Sequence, residues 1–204
     1  GLSKFNGFTF KNYSKADGLT GSLVQSLHTD KKGIVWVGTS KGLNKIYNDS
    51  LITVQRFAGK SIKSIKSLHE GVTILTEDTL FILEKDRITP ISLTLNISGL
   101  YSKDDLTYLS SGREIFILDD DSNTLKSLNA DSPGKILHIS SAQEGLFVGH
   151  SKGAFFSGDS HFKSIDWSNG LLGFSVRNLY QEDSTHYWLA TEIGLNLYNG
   201  KTFK

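Results

Sequence analysis

The chain has 204 residues, 22 of them basic and 21 acidic, for a formal net charge of +1. That balance leaves no polyanion-binding footprint, so a nucleic-acid partner is not expected. Cys is absent, which excludes disulfides and thiolate chemistry, and no apolar run reaches the roughly 18 to 20 residues needed to cross a bilayer, so no membrane contact is expected of this region.

Taken in chain order, residues 1–9 read as the end of a preceding unit, because the run Gly1-Leu2-Ser3-Lys4-Phe5-Asn6-Gly7 lines up with Gly194-Leu195-Asn196-Leu197-Tyr198-Asn199-Gly200. Strand-like runs follow at Leu23 to Leu27, Ile34 to Thr39, Leu43 to Tyr47 and Leu51 to Phe57, separated by Gly, Asn, Asp and Ser clusters that favour tight turns. Weaker copies read Val72 to Thr76 with Leu80 to Leu83, and Leu106 to Ser110 with Ile115 to Leu118. The last of these is apolar on both faces, as a strand sandwiched between neighbouring sheets must be. Phe147 to Gly153 repeats Trp36 to Gly42 at a distance of 111 residues. Finally, Phe162 to Tyr198 lies over Phe10 to Ile46 without a gap, 152 positions on, with 12 of 37 residues identical.

These offsets are three and four multiples of about 38 residues, and the rhythm within each multiple is that of strands. A four-stranded sheet with two apolar faces cannot cover either alone, so copies stacked radially supply the core. The expectation is an all-β fold: one β-propeller region over 1–204, built of four-stranded blades in about five repeats, at approximately 10–50, 51–86, 87–122, 123–160 and 161–204. The chain starts at Gly1 and contains no Met, from which a processed or excised piece is expected.

The string Phe10-Lys11-Asn12-Tyr13, Asp17-Gly18-Leu19, Val24, Ser26-Leu27, Asp30, Gly33, Trp36-Val37-Gly38-Thr39, Gly42-Leu43 resembles the two-component regulator propeller repeat. The first and fifth units match it well, the fourth moderately, the second and third only in strand rhythm. Unit five departs at Ala190, where the repeat has Gly, and at Glu182 or Asp183, where it has Asp. The resemblance implies a periplasmic, ligand-sensing part of an inner-membrane hybrid histidine kinase of the Bacteroides kind. In such receptors the propellers are usually seven-bladed, are followed by a connector domain, and often respond to oligosaccharides. Five units fall short of seven, so a piece of a larger array is expected, although the shared phase of the two ends leaves a closed ring open. Kinase activity would lie elsewhere in the receptor; no enzyme activity and no cofactor is expected of this region.

The recurring residues are read first as structural. Trp36 and Trp188 are expected to pack between blades, Gly18, Gly42, Gly170 and Gly194 to stand where positive φ or close approach demands Gly, Asp17 and Asn169 to cap turns, and Asp30 to tie down the hairpin before Trp36. Leu19, Gly38, Thr39 and Thr191 complete the motif.

Ligand specificity belongs where the copies differ. Lys15, Lys41, His150, Lys152, Trp167, Arg177 and Glu192 are the candidate ligand contacts. Trp167 stands where unit one has Lys15 and can stack on the apolar face of a sugar, or else cover a blade edge or a subunit contact. Arg177 replaces Gln25 and can grip a carboxylate or sulfate in bidentate fashion, or be a solvated strand end. No metal site is expected, since no His pair among positions 28, 69, 138, 150, 161 and 186 has zinc-ligand spacing; His28 and His69 are read as matching strand positions. Three functions remain: a ligand sensor, whose partners are an oligosaccharide or other small ligand, the rest of the sensor chain and a second copy in a homodimer; a protein-interaction scaffold; and, distantly, an enzyme resembling streptogramin lyase, with which only the blades are shared.

Overall fold

The computed structural model describes residues 1–85, 87–103, 106–119, 122–128, 132–142, 145–157 and 162–203. His161 lies outside them. The chain forms two compact units, Gly1–Asn96 and Ile97–Lys204.

The first unit opens on a two-stranded antiparallel ribbon, β1 (Leu2–Phe5) with β2 (Phe10–Tyr13). A four-stranded meander follows, made of β3 (Val24–Thr29), β4 (Val35–Thr39), β5 (Gly42–Tyr47) and β6 (Ser50–Val54). Its reversal at Asn48-Asp49 has both residues at positive φ (47° and 59°), the backbone that a two-residue hairpin joining right-twisted strands favours. The second meander is β7 (Ser64–Leu68), β8 (Gly71–Leu75), β9 (Thr79–Glu84) and β10 (Arg87–Ser92).

The second unit repeats the pattern with β11 (Gly99–Lys103), β12 (Leu106–Ser111), β13 (Glu114–Asp119) and β14 (Thr124–Ser127), and then with β15 (Ile136–Ala142), β16 (Gly145–His150), β17 (Gly153–Ser157) and β18 (Phe162–Ile165). It ends on a three-stranded sheet, β19 (Val176–Gln181), β20 (Tyr187–Thr191) and β21 (Gly194–Tyr198), with Tyr198 also bridging to Phe203. The fold is thus all-β, of propeller blades. The fourth strand of each complete sheet begins at or just beyond a sequence-repeat boundary, so the sheets and the repeats are out of phase by one strand.

Within each unit the cores lie between successive sheets. Trp36, Leu43, Phe57, Ile62, Ile65, Val72, Ile74 and Phe81 form the one between the first two meanders. In the second unit, one cluster around Ile136, Val148 and Phe155 and another around Phe147, Leu171, Val176 and Leu189 do the same. Gly38 and Gly149 let the next sheet come close. A methyl group on Gly38 would lie 2.6 Å from Ile62 Cγ2, and one on Gly149 2.4 Å from the Val176 carbonyl oxygen. At the equivalent place in the last sheet Ala190 stands instead.

Two local expectations change. The run Leu51 to Phe57 is a strand only to Val54; Gln55–Phe57 is a 3-10 turn that swings Phe57 into the core, edge-on to Phe81 at 4.9 Å. His69 is no strand residue: it sits at φ 44° in the turn after β7, because the second sheet's hairpin is shorter. The inter-sheet partner of His28 is Ser67, whose Oγ lies 2.7 Å from the ring Nε2.

Candidate functional site

The motif residues are tied into backbone. Asp30 accepts the amides of Lys32 and Ile34 on one oxygen and the Trp36 indole N–H on the other, all at 2.9 Å. In the fifth unit that duty is divided, which explains why two residues compete for the position in the sequence. Asp183 accepts the amides of Thr185 and His186, and Glu182 accepts the Trp188 indole N–H at 3.0 Å. Asp17 and Asn169 close 3-10 turns by accepting the amides of Ser14 and Asp166, and Gly18 and Gly170 end those turns at φ 98° and 95°. Leu19 is buried behind the first. Thr39 and Thr191 donate to the carbonyls of Gly42 and Gly194, the next residues to need positive φ, at 153° and 143°.

Two pegs recur in the sequence, at the end of the segments Gly42-Leu43-Asn44 and Gly194-Leu195-Asn196. The buried Asn44 accepts the Thr20 amide and donates to the Gly18 carbonyl; Asn196 accepts the Leu172 amide and donates to the Leu172 carbonyl. Each pins the loop before an innermost strand against the third strand.

In the second unit, His150, Lys152 and Trp167 are brought together. They line a pocket of about 300 Å³ with Pro133, Ala154, Ser164, Ile165, Asp166 and Phe174. The pocket exists because filling side chains are small. Ala154 stands 111 positions after Leu43, which is fully buried between the first two meanders beside Phe57. The corresponding core of the second unit has Ala154 and Leu171 where the first has Leu43 and Phe57.

The rim is apolar and open: Trp167 is 71% exposed and Phe174 63%. Trp167 rides on the 3-10 turn Trp167–Asn169. Its cap, Asp166, accepts the Ser168 amide at 2.8 Å and the Ser168 hydroxyl at 2.5 Å, bonds that hold this carboxyl below the usual carboxylate range. Phe174 is held by Glu192, whose two oxygens accept the amides of Phe174 (2.7 Å) and Ser175 (2.8 Å), pulling its pKa down to about 2. Glu192 therefore shapes the rim from behind.

His150 occupies the place of Thr39 and takes over one of its bonds. Its Nδ1 accepts the Lys152 amide at 3.2 Å, as Thr39 Oγ1 accepts the Lys41 amide at 3.1 Å. An accepting Nδ1 puts the proton on Nε2. The residue is only 2% exposed, and Nε2 is buried with no hydrogen-bond partner among the described residues. Burial pushes its pKa down to about 4, against a smaller opposing pull from Asp166.

The other candidates stand apart. Arg177 is exposed at the bulge of β19 between Val176 and Asn178. Lys15 and Lys41 belong to the first unit, both exposed; Lys15 sits on the turn Lys15–Asp17, and the Lys41 carbonyl accepts the Gly59 amide at 2.9 Å. No cluster of three or more His, Cys, Asp or Glu suited to a metal occurs among the described residues, and no helix there is long and apolar enough to cross a membrane.

The class this geometry defines is that of β-propeller blades, and similarity to known proteins agrees. Residues 18–41 match the family model described as two component regulator propeller. The extracellular domain described as part of the hybrid two component system BT3049 of B. thetaiotaomicron superposes with a TM-score of 0.73 at 22% identity, over 95% of this chain and 31% of that one. The corresponding domain of BT4673 from the same organism gives 0.72 at 19% identity, over 92% and 28%. The WD40 domain of Neurospora crassa Pan2 gives 0.64 at 11%, over 89% and 64%. This chain therefore spans about a third of the two bacterial domains. No curated protein matches it by sequence.

Proposed function

We propose that this chain is a non-catalytic, extracytoplasmic ligand-sensing segment of a two-component receptor, and that its pocket holds one ring of an oligosaccharide against Trp167. The observation that carries this reading is an indole left 71% exposed on a braced turn, over a pocket with polar groups in its wall. Exposing that much aromatic surface is unfavourable unless something covers it. Support comes from the matched repeat and from solved neighbours described as extracellular domains of two component systems. Further blades, a connector domain and a second receptor copy are the partners this reading implies, and binding would act by shifting a pre-existing equilibrium between arrangements of those parts.

The test is a panel of oligosaccharides screened by thermal shift against the wild-type chain and Trp167→Ala. The reading expects at least one saccharide to raise the melting temperature, and the variant to lose about 10-fold or more of the affinity. A panel without a hit, or a hit that Trp167→Ala binds equally well, would overturn it.

A second reading, a protein-interaction scaffold, draws on Leu172, Phe174 and Ile193, all exposed alongside Trp167. It expects a partner protein to compete for the same rim, and saccharides to be without effect.

A further inference from the structure

Of the pocket's polar wall groups, Asp166 already has one carboxylate oxygen committed to the Ser168 amide and hydroxyl. Two donors stand close together among the wall groups: the Nε2–H of His150, buried in the wall and without a partner among the described residues, and the ammonium of Lys152, exposed at its edge. Both come from one short segment, His150 to Lys152, whose internal bond from the Lys152 amide to His150 Nδ1 fixes which ring nitrogen carries the proton. The equivalent segment of the first unit, Thr39 to Lys41, has no such orphan. There the side-chain oxygen of Thr39 donates to the Gly42 carbonyl and lies 3.0 Å from the Thr20 hydroxyl. Replacing Thr by His therefore keeps the bond that shapes the turn and leaves a donor unused.

A buried donor without an acceptor is costly, by more than a typical hydrogen bond returns, so a site that retains one is suited to a ligand that supplies the acceptor. A sugar hydroxyl can do so. A carboxylate does it better, because one group then accepts from the neutral imidazole and pairs with the ammonium beside it.

Resting on the saccharide reading, we infer that the ring held against Trp167 is an acidic one, a uronic acid whose carboxylate is received by His150 Nε2 and Lys152. Trp167 and Phe174 then cover the ring, and the low-volume floor at Ala154 admits it. Nε2 is out of solvent contact in this structure, so the carboxylate meets it only if the pocket wall shifts on binding.

The experiment is calorimetry with glucuronate- and galacturonate-terminated disaccharides and their neutral glucose and galactose counterparts, on the wild-type chain and on Lys152→Gln. The substitution leaves the backbone bonds of the turn in place, and a melting curve checks that the variant is folded. The inference expects an acidic disaccharide to bind about 10-fold more tightly than its neutral counterpart, with a steeper salt dependence, and both differences to shrink in Lys152→Gln. Equal binding of acidic and neutral sugars, or a preference that Lys152→Gln retains, would overturn this inference and leave the saccharide reading standing. Failure of every sugar, neutral ones included, would overturn both.

Discussion

Replacing Ala154 by Leu tests the origin of the pocket. In the first unit the equivalent Leu43 is fully buried, packed in the cluster of Trp36, Phe57 and Ile62, whereas the smaller Ala154, equally buried, lines the pocket. The substitution adds three carbons to a wall that can accept them. At about 0.8 kcal/mol per buried carbon the gross gain is roughly 2.4 kcal/mol, and loss of leucine rotamer freedom returns roughly 0.5–1 kcal/mol of it. A net stabilisation of about 1.5 kcal/mol should raise the melting temperature by about 3–6 °C in a chain of this size. Differential scanning calorimetry and a urea titration measure this directly, and saccharide titration should show binding abolished, since the added side chain takes the ring's place. A destabilisation of more than about 1 kcal/mol would mean that the site is already full and that the comparison with Leu43 is wrong. Unchanged binding would detach the pocket from recognition.

Gly149→Ala should do the opposite. Its methyl group would stand 2.4 Å from the Val176 carbonyl oxygen, a backbone atom that cannot swing aside, so β19 must move off β16 at a cost of about 2–4 kcal/mol by urea unfolding. A change below about 0.5 kcal/mol would contradict the close approach. For His150, the folded pKa of about 4 lies below the unfolded value near 6.5, so between those values the unfolded chain binds more protons and stability falls on acidification. His150→Thr, which restores the first unit's residue, should flatten the pH 4–6.5 limb of the stability curve by on the order of 2 kcal/mol; an unchanged limb would place the acid sensitivity elsewhere.

Much of this fold was legible because repetition marks positions where geometry leaves little choice. Gly18 and Gly42 recur as Gly170 and Gly194 because all four sit at positive φ, and Trp36 recurs as Trp188 because an acidic side chain waits for each indole. The strand rhythm gave the meanders for the same reason. The phase of the sheets was not legible, since a period says how often a blade returns but not which strand pairs across the boundary. Nor was the turn at Gln55–Phe57, where one aromatic had more to gain from the inter-sheet core than from continuing a strand.

For the site, sequence differences pointed to His150, Lys152 and Trp167, which share one pocket, and to Glu192, which turns out to brace it. Arg177, chosen by the same logic, lies exposed on β19. Variation alone cannot separate a loop residue facing a cavity from one facing solvent. The more telling change, Leu43 to Ala154, was invisible because an alanine in a strand looks like ordinary drift. It matters only when the neighbouring plug is known to be Leu171 and not a second Phe57.

The most direct test of the central claim is an isothermal titration of the best-binding oligosaccharide into the wild-type chain and into Trp167→Ala. Trp167 is exposed and its turn is held by Asp166 and Asn169, so the variant should keep its melting temperature. The account predicts a one-to-one isotherm for the wild type, weakened about 10-fold or more in the variant. An isotherm that survives the substitution unchanged would place recognition outside this pocket and contradict the account.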